Sequence, residues 1–137
     1  NCSWVATSNT SWISVNGGGS GNGTVSISIA PNADTTSRTG TVTIAGQTFT
    51  VQQSPAPCTY SISATSTSVG NSGGSAVVNV TAASNCSWVA TSNTAWISVN
   101  GGGTGKGDVS ISLAPNADTS PRTGTVTIGG QTFTVQQ

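Results

Sequence analysis

The sequence predicts an all-β chain of two-sheet β-sandwiches arranged in tandem. Three observations carry this reading. Apolar residues alternate with polar ones at period two along most of the chain, and no window shows a helical apolar stripe. Glycine and asparagine clusters punctuate the alternating stretches. The chain also repeats itself: Asn1 to Gln53 align without a gap on Asn85 to Gln137, an offset of 84, with eight differing positions.

Within the complete unit the strands follow in order. Tyr60, Ile62 and Ala64 alternate with Thr59, Ser61 and Ser63, and Ala76, Val78, Val80 and Ala82 alternate with Val77, Asn79 and Thr81. Val109, Ile111 and Leu113 alternate with Ser110 and Ser112. The breaks fall at GNSGG (70–74), NGGGTGKG (100–107) and PNADTSP (115–121). TVTI (125–128) and QTFTV (131–135) flank Gly129-Gly130, a two-residue loop suited to a primed turn. That register pairs Val126 with Phe133, sets Ile128 and Val135 on the same apolar face, and leaves Thr125/Thr134 and Thr127/Thr132 as cross-strand pairs on the other. The first repeat predicts the same hairpin with Val42, Ile44, Phe49 and Val51 inside. Seven or so short strands in about 80 residues describe an immunoglobulin-like two-sheet β-sandwich.

The repeat sets the boundaries. Residues 1–53 correspond to the C-terminal part of a unit, 54–57 (SPAP) form a proline-rich, stiff, extended spacer, and 58–137 form a complete unit. The absence of methionine reads as a processed chain or a piece of a longer one, with an array running beyond both ends. Counterparts of Tyr60 to Ala82 do not precede Asn1. The first unit is therefore expected to expose an apolar face at Val25, Ile27, Ile29, Val42, Ile44, Phe49 and Val51, with unpaired edges. Strands from the chain's own upstream sequence, or from a neighbouring subunit in a filament, would complete it. Residues 1–53 alone are expected not to fold, and 58–137 to form a stable monomer.

Cysteines follow the same logic. Cys58 opens the first strand of the complete unit and Cys86 follows the second, so antiparallel pairing brings them together as a disulfide; two buried free thiols are the alternative. The loop closed is roughly 30 residues, worth about 3–4 kcal/mol on the loop-entropy account. Cys2, the counterpart of Cys86, has no mate in the chain.

Composition excludes several function classes. Three Lys+Arg balance three Asp+Glu, charged residues make up 4%, and there is no histidine. Nucleic-acid binding needs basic clusters that do not occur, and no apolar run approaches the roughly 18 residues of a membrane span. A serine nucleophile lacks an evident base. A carboxylate pair for glycoside hydrolysis would need Asp108, which is Thr24 in the first repeat. Neither an acidic calcium loop nor a His/Cys zinc cluster is present, so no metal or cofactor is expected. GGGTGKGD lacks the spacing and the Ser/Thr of a phosphate loop and reads as a flexible connection. Asp34 and Asp118 each lie four residues before an arginine and are expected to brace Arg38 and Arg122 across turns.

Tryptophan supplies the ligand candidates. Trp4 and Trp88 share parity with neighbouring core positions and read as core. For Trp96, strand alternation turns the ring outward when Ile97 and Val99 point inward, whereas a bend after Asn93 tucks it under the sheet edge. Trp12 and Trp96, with Asn16 and Asn100, are accordingly the candidate sugar-binding residues. Five N-x-Ser/Thr sequons occur, two of which have no equivalent in the second repeat.

The string CSWVATSNTAWISVN (86–100), followed by G-x-G, V-x-I-x-L-A-P-N (109–116), RTGTVTI (122–128) and TVQQ (134–137), resembles the BACON family. These are Bacteroidetes-associated, often N-terminal, immunoglobulin-like modules. The resemblance covers 58–137 and the matching part of 1–53. It implies a sandwich fold, and through the family's association with glycoside hydrolases and surface proteins it implies glycans as ligands.

Taken together, the residues predict a non-enzymatic structural module of an extracellular or cell-surface fibre, stalk or adhesin shaft, whose partners are neighbouring repeats or subunits of the same protein. A carbohydrate-binding module is the alternative. Mass spectrometry of denatured, non-reduced protein is expected to find one blocked cysteine pair and one alkylatable thiol. Three alkylatable thiols in material never exposed to reductant would refute the Cys58–Cys86 pairing.

Overall fold

The computed structural model describes residues 1–137 and contains strands, turns and loops but no helix. The chain divides into two compact units, Asn1–Pro57 and Cys58–Gln137. In the first unit the strands are β1 (Ser3–Ser8), β2 (Ile13–Asn16), β3 (Gly18–Ser20), β4 (Ser26–Ile29), β5 (Arg38–Ile44) and β6 (Gln47–Gln53). They form one sheet in the order β3-β1-β5-β6 and a two-stranded ribbon of β2 and β4.

The second unit adds three strands before the repeated part: β7 (Ser61–Ile62), β8 (Ser66–Ser68) and β9 (Gly74–Thr81). Then follow β10 (Ser87–Ser92), β11 (Ile97–Asn100), β12 (Gly102–Thr104), β13 (Gly107–Leu113), β14 (Thr123–Ile128) and β15 (Gln131–Gln136). One sheet runs β12-β10-β14-β15-β8 and the other β11-β13-β9-β7. Between them lies the core, in which Val78, Val80, Val109, Ile111, Val126, Ile128, Phe133 and Val135 are all but inaccessible to solvent. Alternation is visible in β9, where Val78 and Val80 are buried and Val77 is exposed.

The β14–β15 ladder pairs Val126 with Phe133, Thr127 with Thr132 and Thr125 with Thr134. Gly129 and Gly130 both have positive φ (53° and 79°), as a type I′ turn requires. On the polar face the Asn93 amide donates to Thr125 Oγ1 (3.2 Å) and Thr127 Oγ1 (3.0 Å), and Asn9 does the same to Thr41 and Thr43. Sequence patterning does not reveal β8, which pairs in parallel with β15. Its three residues are too short to show alternation.

The glycine-rich segment after Asn100 is not a flexible connection. Gly101 carries the chain from one sheet to the other, so β11 and β12 lie in different sheets, and Gly107 already belongs to β13. A Cβ at Gly107 would stand 2.8 Å from Trp88 Cζ2, and the Trp88 indole donates to the Gly105 carbonyl at 2.8 Å. The glycines are a seat for an aromatic ring. Trp88 is 5% exposed in that seat, and Trp4 repeats the bond to Gly21.

Cys58 and Cys86 form a disulfide with their Cα atoms 5.6 Å apart, while Cys2 is a free, exposed thiol. The first unit is less open than the pattern suggests. Val42 and Val51 are buried there with Ile13, and Trp12, Val15, Ile27 and Ile44 pack around them. Exposure concentrates instead at Phe49 and Ile29. Val42 and Val51 are covered by Ile13 and Val15 of β2 and Ile27 of β4, strands that the repeat retains.

The two hairpin turns differ in one residue. Ala45 takes a φ of 50° where the second unit has Gly129, and an L-residue with a Cβ pays about 1 kcal/mol in that region. Ala45→Gly is expected to raise the first unit's stability by about that amount in urea titrations of the full chain. An unchanged or lowered midpoint would contradict the strain assigned to this turn.

Candidate functional site

Each unit carries the same clasp at one end, formed by an arginine, a tryptophan and a glutamine. In the second unit Arg122 enters β14 and Gln137 follows β15, and their backbones pair in both directions. The Arg122 guanidinium lies over the Trp96 ring, 4.2 Å from its centroid, a favourable cation–π arrangement. Its Nε and Nη2 donate to Gln137 Oε1 at 2.9 and 2.7 Å, and Nη2 also reaches the Ala114 carbonyl at 2.7 Å. Gln137 Nε2 in turn donates to the carbonyls of Gly70 and Ala114. In the first unit Arg38 sits 4.3 Å from the Trp12 centroid and donates to Gln53 Oε1, Ala30 O and Pro31 O.

These partners correct the expected Asp34–Arg38 and Asp118–Arg122 braces. The hydrogen bonds that fix each arginine go to a glutamine and to carbonyls. The turns are braced by asparagine: Asn116 Oδ1 accepts from the Asp118 N–H and its amide donates to the Ser120 carbonyl, with Asn116 buried. Asn32 makes the equivalent bonds to Asp34 and Thr36, and adds one to the Ser54 carbonyl. An asparagine amide both donates and accepts, so it closes such a turn without burying a charge. Because Ala56 N–H also donates to the Asp34 carbonyl at 2.8 Å, the SPAP segment is fastened to the first unit's own loop.

The structure places the four candidate ligand residues apart. Trp12 and Trp96 are half-buried, with one ring face under arginine, and Trp96 packs so closely on Gly124 that a Cβ there would stand 2.8 Å from its Cζ2. Asn16 and Asn100 are exposed at the ends of β2 and β11, opposite Ser26 and Ser110. Four residues of strand separate each pair, roughly 13 Å.

Beside each clasp lies a groove that sequence reasoning missed. In the second unit it measures about 410 Å³ and is lined by Ser68, Val69, Pro121, Arg122, Thr123, Gln136 and Gln137. In the first it measures about 390 Å³, and five of its lining positions (Ser37, Arg38, Thr39, Gln52 and Gln53) are the repeat equivalents of Pro121 to Thr123, Gln136 and Gln137. The R-T and Q-Q dipeptides were visible in the sequence, but their juxtaposition depends on the β14–β15 ladder.

A family model described as "Putative binding domain, N-terminal" (BACON) matches residues 3–54 and again 86–137. The chain belongs to the BACON family. The two matches coincide with the repeated part of the chain, so each BACON match contains one arginine–tryptophan–glutamine clasp. Comparison with curated proteins finds no match. Among solved structures, the fold resembles part of the Bacteroides ovatus GH5 xyloglucanase in complex with a XXXG heptasaccharide. That alignment covers 58% of this chain and 18% of that chain, at 18% identity and a TM-score of 0.52. At this identity the likeness is one of fold.

Removing the guanidinium orphans Gln137 Oε1 and uncovers Trp96. Arg122→Ala is expected to cost the second BACON unit about 2–3 kcal/mol in urea titration followed by tryptophan fluorescence. Arg122→Lys should restore only part of this, because an ammonium cannot reproduce the fork. A midpoint unmoved by Arg122→Ala would remove the clasp from this account.

Proposed function

We propose that the chain is a tandem carbohydrate-binding module, part of an exported or cell-surface protein, in which each BACON unit presents one groove to a neutral glycan. The observation that carries this is the recurrence of the groove, with five equivalent lining positions, at the same end of both units. Its polar groups suit a ligand of many hydroxyls and no charge. Gln136 and Gln52 are exposed amides able both to donate and to accept, and Thr123 and Thr39 contribute hydroxyls. Arg122 and Arg38 border the groove already oriented by their clasps, so less side-chain freedom is lost on binding. Trp96 and Trp12 act one layer below, as the surfaces on which the arginines rest. Asn100 and Asn16 lie outside the groove lining and would serve only a longer ligand.

Two equivalent grooves on one chain support binding through multivalency, since a polymer that occupies one groove raises its effective concentration at the other. The Cys58–Cys86 disulfide supports an oxidising compartment. A structural role in a shaft is a second reading, favoured by the bonds that fasten SPAP to the first unit. Under that reading the units serve as spacers and the grooves are incidental.

Affinity electrophoresis of the full chain against soluble neutral polysaccharides, together with a glycan array, tests the proposal. Retardation by at least one polysaccharide is expected, falling tenfold or more in Gln52→Ala/Gln136→Ala, which leaves both clasps intact. Absence of binding across the array, or undiminished binding by the double variant, would overturn the groove and leave the spacer reading.

A further inference from the structure

Only two of the differences between the repeated segments alter charge. Lys106 stands where the first unit has Asn22, and Asp108 stands where it has Thr24. Lys106 is the one lysine of the chain, and both side chains are exposed at the start of β13.

The backbone fixes what surrounds them. Gly107 pairs with Val80 and Asp108 with Asn79. Gly105, at a φ of 74°, lies against the chain beyond β9: a Cβ there would stand 3.1 Å from Ser84 Cα and 3.6 Å from the Ala83 carbonyl oxygen. Lys106 is held between these two contacts, and so runs beside Thr81 and Ala82. On the other edge of β9, Ser61 of β7 pairs with Thr81.

A cavity of about 420 Å³ opens at this place, lined by Thr59, Tyr60, Ser61, Thr81, Ala82 and Ala83. Small-molecule sites measure roughly 300–1,000 Å³. Its walls are fixed. The Cys58–Cys86 disulfide ties the two lining segments together, immediately before Thr59 and shortly after Ala83. The Tyr60 hydroxyl donates to the Ser87 carbonyl at 2.8 Å, and its ring rests against Gly129. The cavity thus has one anchored aromatic wall and the hydroxyls of Thr59, Ser61 and Thr81. Charge is distributed unequally around it. Asp108 lies two residues further along β13, roughly 6.7 Å away, and its Oδ1 accepts from the Asn79 amide at 2.6 Å. Lys106 stands level with the lining residue Thr81, so the charge nearest the opening is positive.

We propose that this cavity is a second ligand site and that its ligand is a carboxylated sugar, a uronic acid residue of a glycan. The sugar ring lies against Tyr60, its hydroxyls meet Thr59, Ser61 and Thr81, and its carboxylate accepts a charge-assisted hydrogen bond from Lys106 Nζ. Asn22 offers no charge at the equivalent position, so the preference for an acidic sugar belongs to the second unit. The site shares no residue with the groove beside the clasp, and it stands whether or not that groove binds neutral glycans.

Calorimetric titration of the full chain with tetragalacturonate and with its methyl ester tests the site, and NMR of labelled protein locates it. Binding of the acid is expected, with amide shifts at residues 59–61 and 81–83 and at least tenfold weaker binding of the uncharged ester. Lys106→Asn, a change at an exposed position, should weaken the acid at least tenfold and leave the thermal midpoint in place. High salt should weaken it in the unaltered protein. Gln52→Ala/Gln136→Ala should bind the acid as tightly as the unaltered protein does. Absence of binding, equal binding of acid and ester, undiminished binding by Lys106→Asn, or shifts confined to the clasp grooves would each overturn the assignment.

Discussion

Burial of the inner face of the β14–β15 hairpin is the constraint on which the rest of the unit depends. Phe133 and Val135 point between the sheets, and neither can be dry unless the opposite sheet covers them. That sheet exists in full only where β9 lies beside β13 and β7 beside β9. The repeated sequence therefore behaves differently in its two settings: the same hairpin has Phe133 fully buried and Phe49 half in water. Full burial of such a side chain is worth roughly 1.5–3 kcal/mol, so the half-exposed Phe49 gives up about 1 kcal/mol of it. The disulfide reinforces the same closure, because Cys86 is buried at the base of β10 while Cys58 opens the segment that leads into β7.

A second organising device compensates for the scarcity of charge. With only six formally charged side chains, the unit ends cannot rest on ion pairs. Arginine is instead held by neutral acceptors and an aromatic face, and the Pro/Asn turns are closed by asparagine amides. Both devices dispense with an ion pair, and the first gives the guanidinium a fixed direction. The resulting groove is polar, carries one guanidinium among otherwise uncharged side chains, and recurs in both units. The threonine pairs on the outer face follow the same economy, with Asn93 and Asn9 bridging hydroxyls of neighbouring positions on one strand.

Much of this architecture was legible in the residues. The Gly129-Gly130 turn, the Val126–Phe133 register and the threonine face rest on local alternation and turn chemistry, which act over a few residues, and the Cys58–Cys86 link on the order of the strands between two cysteines 28 residues apart. The glycine-rich run differs from its local appearance because its causes are remote: Gly107 is small to admit the Trp88 ring, Gly105 takes a positive φ against Ser84, and Gly101 lies against Val109 where the chain changes sheets. The aspartates drew attention by proximity to arginine in sequence, yet Gln137, fifteen residues from Arg122, is the partner that the ladder delivers. For Trp96, alternation pointed outward and a bend after Asn93 inward; in the structure the ring is half-buried, packed on Gly124 and under Arg122.

The sequence by itself determined the longer alternating strands, their inward and outward faces and the hairpin register, because period-two patterning and positive-φ turns are local properties of the chain, and self-alignment alone determined the repeated unit. The tertiary structure alone decided which strands become neighbours across the sandwich, what covers each tryptophan, where the arginines find their acceptors, and that hairpins differing in one turn residue end up differently buried in the two units. Those outcomes depend on contacts between residues far apart in the chain, and no local pattern encodes them.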